Sequence, residues 1–376
     1  MPTLDYKCGD VKKLPYCPVS SPLFMESVDQ CIDIAREEWD SYEMSWGFER
    51  HPLVPEQIHG SDVLIETLFE QWKQISDKRF SLMSECENLL NDLFKEEYSL
   101  TDSDMDEFDP SDITLRVSDK TTDIKSLMSY AVGCMFGRYS LDSVGLVYAG
   151  GNWDSSKYAT FIPDADNVIP LTDEEYLEDD IVSRFTMWIK TVYGSSTLEK
   201  NLDYIAKAIS NKNGSSREII RNYFLNEFYK DHCQTYTVTG FGKRPIYWLF
   251  DSGKQNGFKA LIYLHRYNAD TIGNLRIDYL HRMQHIYESE ISRMQDMIDH
   301  STSGREVAQA TKRREKLTKQ LKECREYDEK LAHLALSRIE LDLADGVKKN
   351  YRKIQTANDG KFYEVLADSK NIMSKE

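Results

Sequence analysis

Two short apolar runs, Ile246-Tyr247-Trp248-Leu249-Phe250 and Phe258-Lys259-Ala260-Leu261-Ile262-Tyr263, flank a polar segment holding Gly253, Asn256 and Gly257. β-branched and aromatic runs around residues that tolerate positive φ predict a β-hairpin over 241–268. In the first run Ile246, Trp248 and Phe250 alternate with Tyr247 and Leu249, so neither face is polar and both must be covered. Elsewhere the apolar spacing is helical. Val28, Cys31, Ile32, Ala35 and Trp39 mark a helix over 25–43. Leu68, Trp72, Ile75, Phe80, Met83, Cys86, Leu89, Leu90, Leu93 and Phe94 mark one or two helices over 65–98. Ile124, Leu127, Met128 and Ala131 predict a helix over 123–136, and Leu198, Leu202, Ile205 and Ala208 another over 197–209. Thr172 and Glu175 have capping-box spacing, which starts a helix there that continues through Ile181, Val182, Phe185 and Ile189.

After the hairpin come two long periods, 270–299 and 305–343, separated by Ser301-Thr302-Ser303-Gly304. In the second, Val307, Ala310, Arg314, Leu317, Leu321, Cys324, Asp328, Leu331 and Ala335 step by three and four, a heptad seam. The short break predicts an antiparallel coiled-coil pair about 45 Å long, a spacer or docking arm. Gly346 closes it, and 346–376 reads as a loosely held tail. The fold class is therefore mainly α with a small β-hairpin element, in the order 21–112 helical, 113–240 mixed and mainly helical, 241–268 hairpin, 269–345 helical pair. Leu146-Val147-Tyr148 reads as strand, followed by a turn at Gly150-Gly151.

Composition narrows the class. The 376 residues allow two or three domains, and 40% hydrophobic with 29% charged residues is ordinary for a soluble protein. No apolar run is long enough to span a bilayer, and a cytoplasmic setting is expected. The seven cysteines lack Cys-x-x-Cys spacing and read as reduced, mostly buried thiols. A net charge of -16 argues against DNA binding by the surface at large but leaves room for a local basic patch.

Site chemistry is sparse. Asp102, Asp104 and Asp106 resemble a calcium loop, but Glu107 stands where glycine is needed and Ile113 where glutamate is needed, so the stretch reads as an acidic linker. His51 has no second ligand at metal spacing and reads as structural. There is no Asn-Pro-Pro-Tyr or Asp-Pro-Pro-Tyr box, Gly-rich cofactor fingerprint, P-loop or nuclease cluster, so no catalytic, cofactor or metal residue is assigned. What remains is basic. Lys243, Arg244, Lys254, Lys259 and Arg266 crowd the hairpin, interleaved with Tyr247, Trp248, Tyr263, His265 and Tyr267. Cations beside rings suit nucleic-acid contact; equally, the rings can be core and the cations paired with acids. Arg217 and Arg221 follow Asn213-Gly214-Ser215-Ser216 at a helix start, which is either a phosphate perch or an ordinary capped helix.

Several strings carry a resemblance. Lys243-Arg244-Pro245-Ile246-Tyr247-Trp248-Leu249-Phe250, His265-Arg266-Tyr267-Asn268, Ser129-Tyr130-Ala131-Val132-Gly133-Cys134-Met135-Phe136-Gly137-Arg138-Tyr139 and Ser216-Arg217-Glu218-Ile219-Ile220-Arg221-Asn222-Tyr223-Phe224 resemble the C-terminal portion of the PglX family. These are adenine-specific DNA methyltransferases of bacteriophage-exclusion (BREX) systems. Residues 1–20 are strand-like without a nearby partner and are similar to the closing segment of a target-recognition domain. The resemblance implies methylation of an adenine amino group from S-adenosylmethionine by a catalytic box upstream of the matched region. It implies as partners double-stranded DNA, the upstream methyltransferase and target-recognition domains, and other defence-system proteins.

Overall fold

A computed structural model describes residues 21–58, 62–101 and 109–373, with Gly9, Lys12, Lys13, Tyr16 and Val19 singly. The strand expected near residue 3 and the aspartates at 102–106 lie outside the described residues. The chain divides into two compact units, one of Met1–Ser45 and Glu70–Asp119, the other of Trp46–Phe69 and Lys120–Glu376.

The first unit holds helix α1, Pro22–Trp39, and most of α2, Ile65–Tyr98, a single helix of 34 residues. Its small core is Ile34, Met83, Ile113 and Leu115, with Cys31, Phe80 and Leu82 packed against it. The phase expected for α1 is corrected. Ile34 is buried, whereas Ile32 and Trp39 are each 47% exposed. Apolar side chains occur on both sides of this helix, so periodicity alone could not choose the inward face.

The second unit is built around the hairpin. Strands β4, Tyr247–Asp251, and β5, Lys259–Tyr263, pair antiparallel, Tyr247 opposite Tyr263 and Leu249 opposite Leu261. A third strand not legible in the sequence, β1 at Ile169–Pro170, adds to β5. The Asn167 side chain extends that edge, accepting from Tyr263 N at 3.0 Å and donating to Tyr263 O at 3.0 Å. A separate two-stranded ribbon joins β2, Thr237–Val238, to β3, Gly242–Lys243.

Both sheet faces are covered, as the two apolar faces require. On one, Tyr247 stacks on Phe136 and His232. These come from α3, Lys120–Phe136, and α7, Phe228–Thr235. Helices α4, Ile181–Tyr193, α5, Leu198–Ile209, and α6, Ser216–Asn226, complete this part. On the other face Trp248 meets Tyr351 edge to face. The helix start expected at Thr172 is corrected: α4 begins at Ile181 with Asp180 as its cap. Thr172 Oγ1 instead reaches the Glu174 carbonyl and Asp180, a local turn that competes with helix. Residues 146–148 form no strand, and Gly150 and Gly151 make the expected turn with φ of 109° and 83°.

The helical pair is present. A short α8, Thr271–Asn274, passes through a π-helical turn, Leu275–Leu280, into α9, His281–His300. Residues 301–303 then lead into α10, Gly304–Ser337. Contacts from Gln295 to Arg314, Glu288 to Arg325 and Arg276 to Asp328 show the two running antiparallel. Ala310, Leu317, Leu321, Cys324 and Leu331 of the expected seam are buried, and so are Gln320, Tyr327 and Leu334. The buried face is wider than a seam because α10 packs on the hairpin loop as well as on α9.

The reading of a loosely held tail is corrected. Past Gly346 the chain forms α11, Val347–Lys353, and α12, Ser369–Met373. Val365, Leu366 and Ile372 are buried. Asp251 N donates to Val365 O at 3.1 Å and Ala367 N to Leu249 O at 2.9 Å. The segment thereby covers the edge of β4 left free by the hairpin, satisfying backbone groups that a bare edge would expose.

Candidate nucleic-acid interface

The hairpin loop is held by its neighbours more than by its own turn. Glu323 of α10 accepts from Ser252 Oγ at 2.8 Å, Gln255 N at 2.9 Å and Gly257 N at 3.0 Å. Gln320 donates to the Asn256 carbonyl at 3.2 Å. Asn256 takes positive φ, 53°, as expected. Gly257 has another reason to be glycine: a Cβ there would stand 2.7 Å from the Gln320 carbonyl oxygen.

Around this anchored loop the cations have separate fates. Lys254 is exposed between Gly253 and Gln255. Arg244 is exposed and lies over the Phe241 ring at 5.0 Å. Lys259 points inward, 8% exposed, with its ammonium 3.4 Å from Asp251 and 3.2 Å from the Leu225 carbonyl. Burial pushes the Asp251 carboxyl up, against the pull of Lys259. Lys243 is held by Asp368 at 2.6 Å. Arg266 donates to the carbonyls of Phe136, Asp164 and Ala165 and covers the Trp153 ring at 4.5 Å. It closes the end of α3, satisfying carbonyls that a helix C-terminus leaves open.

The helix start at 213–221 is similarly occupied. Ser215 and Glu218 form a reciprocal capping box on α6. Arg217 meets Glu199 through two bonds of 2.8 and 2.7 Å. Arg221 is turned to Asp180 and the Thr172 carbonyl. Of the seven cations expected at DNA, Lys254 and Arg244 face outward without a carboxylate in reach among the contacts described. The other five serve acids or carbonyls of the fold. Of the aromatics interleaved with them, Tyr247, Trp248 and Tyr263 are fully buried core, and His265 and Tyr267 are half-buried.

The buried histidines are structural. His51 Nδ1 accepts from Leu53 N at 3.1 Å, and burial lowers its pKa to about 3. His232 Nε2 accepts from Ile246 N and Tyr247 N at the start of β4, and burial likewise lowers it to about 3. Sequence reading missed His232 and Glu323 as the residues that seat the hairpin, because their partners are backbone groups. Among the described residues no group of three or more His, Cys, Asp or Glu is placed to hold a metal ion. No helix among them is long and apolar enough to cross a membrane.

Comparison with known proteins takes the matter further. The chain is 41% identical over 358 residues to the adenine-specific methyltransferase PglX of Lacticaseibacillus casei (strain Zhang), covering 94% of this chain and 29% of that protein. The chain matches the C-terminal part of PglX. It is also 35% identical over 399 residues to the adenine-specific methyltransferase BrxX of Escherichia coli O9:H4 (strain HS), covering 99% of this chain and 31% of that one. Both relatives are adenine-specific methyltransferases. No protein-family model matches the chain. The PglX likeness read from a few strings thus extends along nearly the whole sequence, while the chain spans about three tenths of the relatives' length.

Proposed function

We propose that this chain is a DNA-engaging and scaffolding region of an adenine-specific DNA methyltransferase of a phage-defence system. Catalysis and S-adenosylmethionine binding would belong to parts of such an enzyme other than these residues. The observation that carries the reading is the 41% identity to PglX over 94% of the chain. The interlocked sheet, tail and helical pair support the scaffolding half of it: loop, edge and both faces of the hairpin are seated on other elements. Double-stranded DNA is the partner proposed, together with the methyltransferase and target-recognition parts of the same enzyme.

A second reading, a docking module for proteins of the defence complex that never touches DNA, is favoured by the pairing of Lys243, Lys259, Arg217 and Arg221 with carboxylates. Fluorescence anisotropy of the chain with duplex DNA across a salt series separates the two. The first reading expects binding whose log K falls linearly with log salt. Absence of binding at low salt would favour the second, and pull-down against the other defence proteins would then be the informative assay.

A further inference from the structure

The cations at the hairpin and at the start of α6 are mostly engaged, and a second run of cations lies on α10, part of it turned outward. Between Gly304 and Lys322, α10 carries Arg305, Lys312, Arg313, Arg314, Lys316, Lys319 and Lys322 against Glu306 and Glu315, in a protein with 63 acidic and 47 basic residues. The structure sorts these by direction. Arg313 turns to Glu174 at 2.7 Å and Glu290 at 3.4 Å, and Arg314 turns to Gln295 on α9. Lys312 and Lys319 are exposed, and the Lys316 side chain is 57% exposed. Positions 312, 316 and 319 share one face, i, i+4 and i+7. It lies away from the stripe of Ala310, Leu317, Leu321 and Cys324 that packs inward.

The next residue on that face, Glu323, directs its carboxylate at the hairpin loop. Its oxygens are taken up by Ser252 Oγ and the N–H groups of Gln255 and Gly257. The loop it grips presents exposed Lys254. We propose that the outer face of α10, with Lys312, Lys316 and Lys319 leading to Lys254 on the hairpin loop, is a contact surface for the phosphate backbone of double-stranded DNA.

The charge geometry fits that partner. Lys312 and Lys319 are separated by about 10 Å along the helix axis. Duplex DNA carries one phosphate per about 3.4 Å of duplex axis on each strand, so three lysines spread over about 10 Å of helix face several phosphates. Lysines are flexible point charges that neutralise phosphate without reading bases. The surface therefore positions DNA and leaves recognition elsewhere. Acids border it: Asp173 lies 2.5 Å from Lys316, Lys322 is near Glu326 at 3.8 Å, and Glu315 is exposed. Phosphate must displace Asp173 to engage Lys316 fully, which makes Lys312, Lys319 and Lys254 the stronger contacts.

This surface rests on the DNA-engaging reading above, and the test separates the two. The whole chain is titrated with duplex DNA over a salt series as wild type, as Lys312→Gln/Lys316→Gln/Lys319→Gln, and as Lys200→Gln/Lys207→Gln on α5. Thermal melting confirms that each folds. The α10 variant is expected to lose about two to three in the slope of log K against log salt, and about tenfold or more in affinity near 100 mM salt. The α5 control is expected to keep the wild-type slope. Wild-type binding with an unchanged slope in the α10 variant overturns the surface and leaves the DNA-engaging reading standing. Equal losses in both variants overturn it too, since they would report general charge alone. No wild-type binding at low salt overturns both.

Discussion

Glu323 shows how one side chain sets the value of its neighbours. By accepting from three donors of the hairpin loop it fixes Lys254 outward, at a point where Lys259, five positions on, is turned into the protein. The two lysines therefore give opposite expectations. Lys254→Gln should change stability by no more than about 0.5 kcal/mol, as for most exposed sites. Lys259→Met should cost about 2–4 kcal/mol, because Asp251 and the Leu225 carbonyl lose their partner in a buried place. Urea unfolding of the two variants measures this. Equal, small losses would mean that Lys259 is not held inward.

At the scale of elements, the sheet depends on segments far apart in sequence. Strand β5 is edged by Ile169–Pro170 and β4 by residues 365–367, while Tyr327 of α10 donates to the Val365 carbonyl at 2.6 Å. Tyr351 meets both Trp248 and the hydroxyl of Tyr229. Deleting the chain from residue 347 onward removes the cover of one sheet face and one edge together. The truncated protein is expected to melt at least about 10 °C lower or to aggregate, since it exposes buried aromatics and a bare strand edge. A melting temperature within a degree or two of the parent would restore the description of this segment as a loose tail.

At the scale of the whole molecule, the charge balance makes stability depend on pH in a stated direction. Burial lowers His51 and His232 to about 3, and His265 to about 4. Unfolded, these groups take up a proton near pH 6.5. Their contribution is fully present above about pH 6.5 and is lost as pH falls toward their folded values, by roughly 1.4 kcal/mol per pH unit for each. Asp164 works the other way. Burial and its neighbour Asp166 raise it to about 7, so its protonated form favours the fold as pH drops from 7 toward 3.8. Burial also raises Asp251 and Glu38, in the same sense as Asp164 but less, and the three imidazoles outweigh these carboxyls. The urea midpoint is expected to fall between pH 6.5 and 5, and a midpoint that rises over that range would contradict the neutral, buried state of the histidines.

The sequence by itself determined the elements whose signal is local. The hairpin, α3, α5 and the antiparallel pair follow from periods of two or 3.6 and from turn residues such as Asn256, because backbone geometry turns spacing directly into a face. It also held the string similarity to PglX and, unused, the cluster of cations at the start of α10. Tertiary structure alone decided which face of α1 turns inward, that Thr172 starts a turn and not a helix, and that residues 347–373 close the sheet. It also decided which cations are available. Lys243 meets an aspartate 125 positions away, and Arg266 meets carbonyls more than 100 positions away. A residue's type carries its charge, but whether that charge reaches solvent depends on partners the fold brings together, and no local period encodes them.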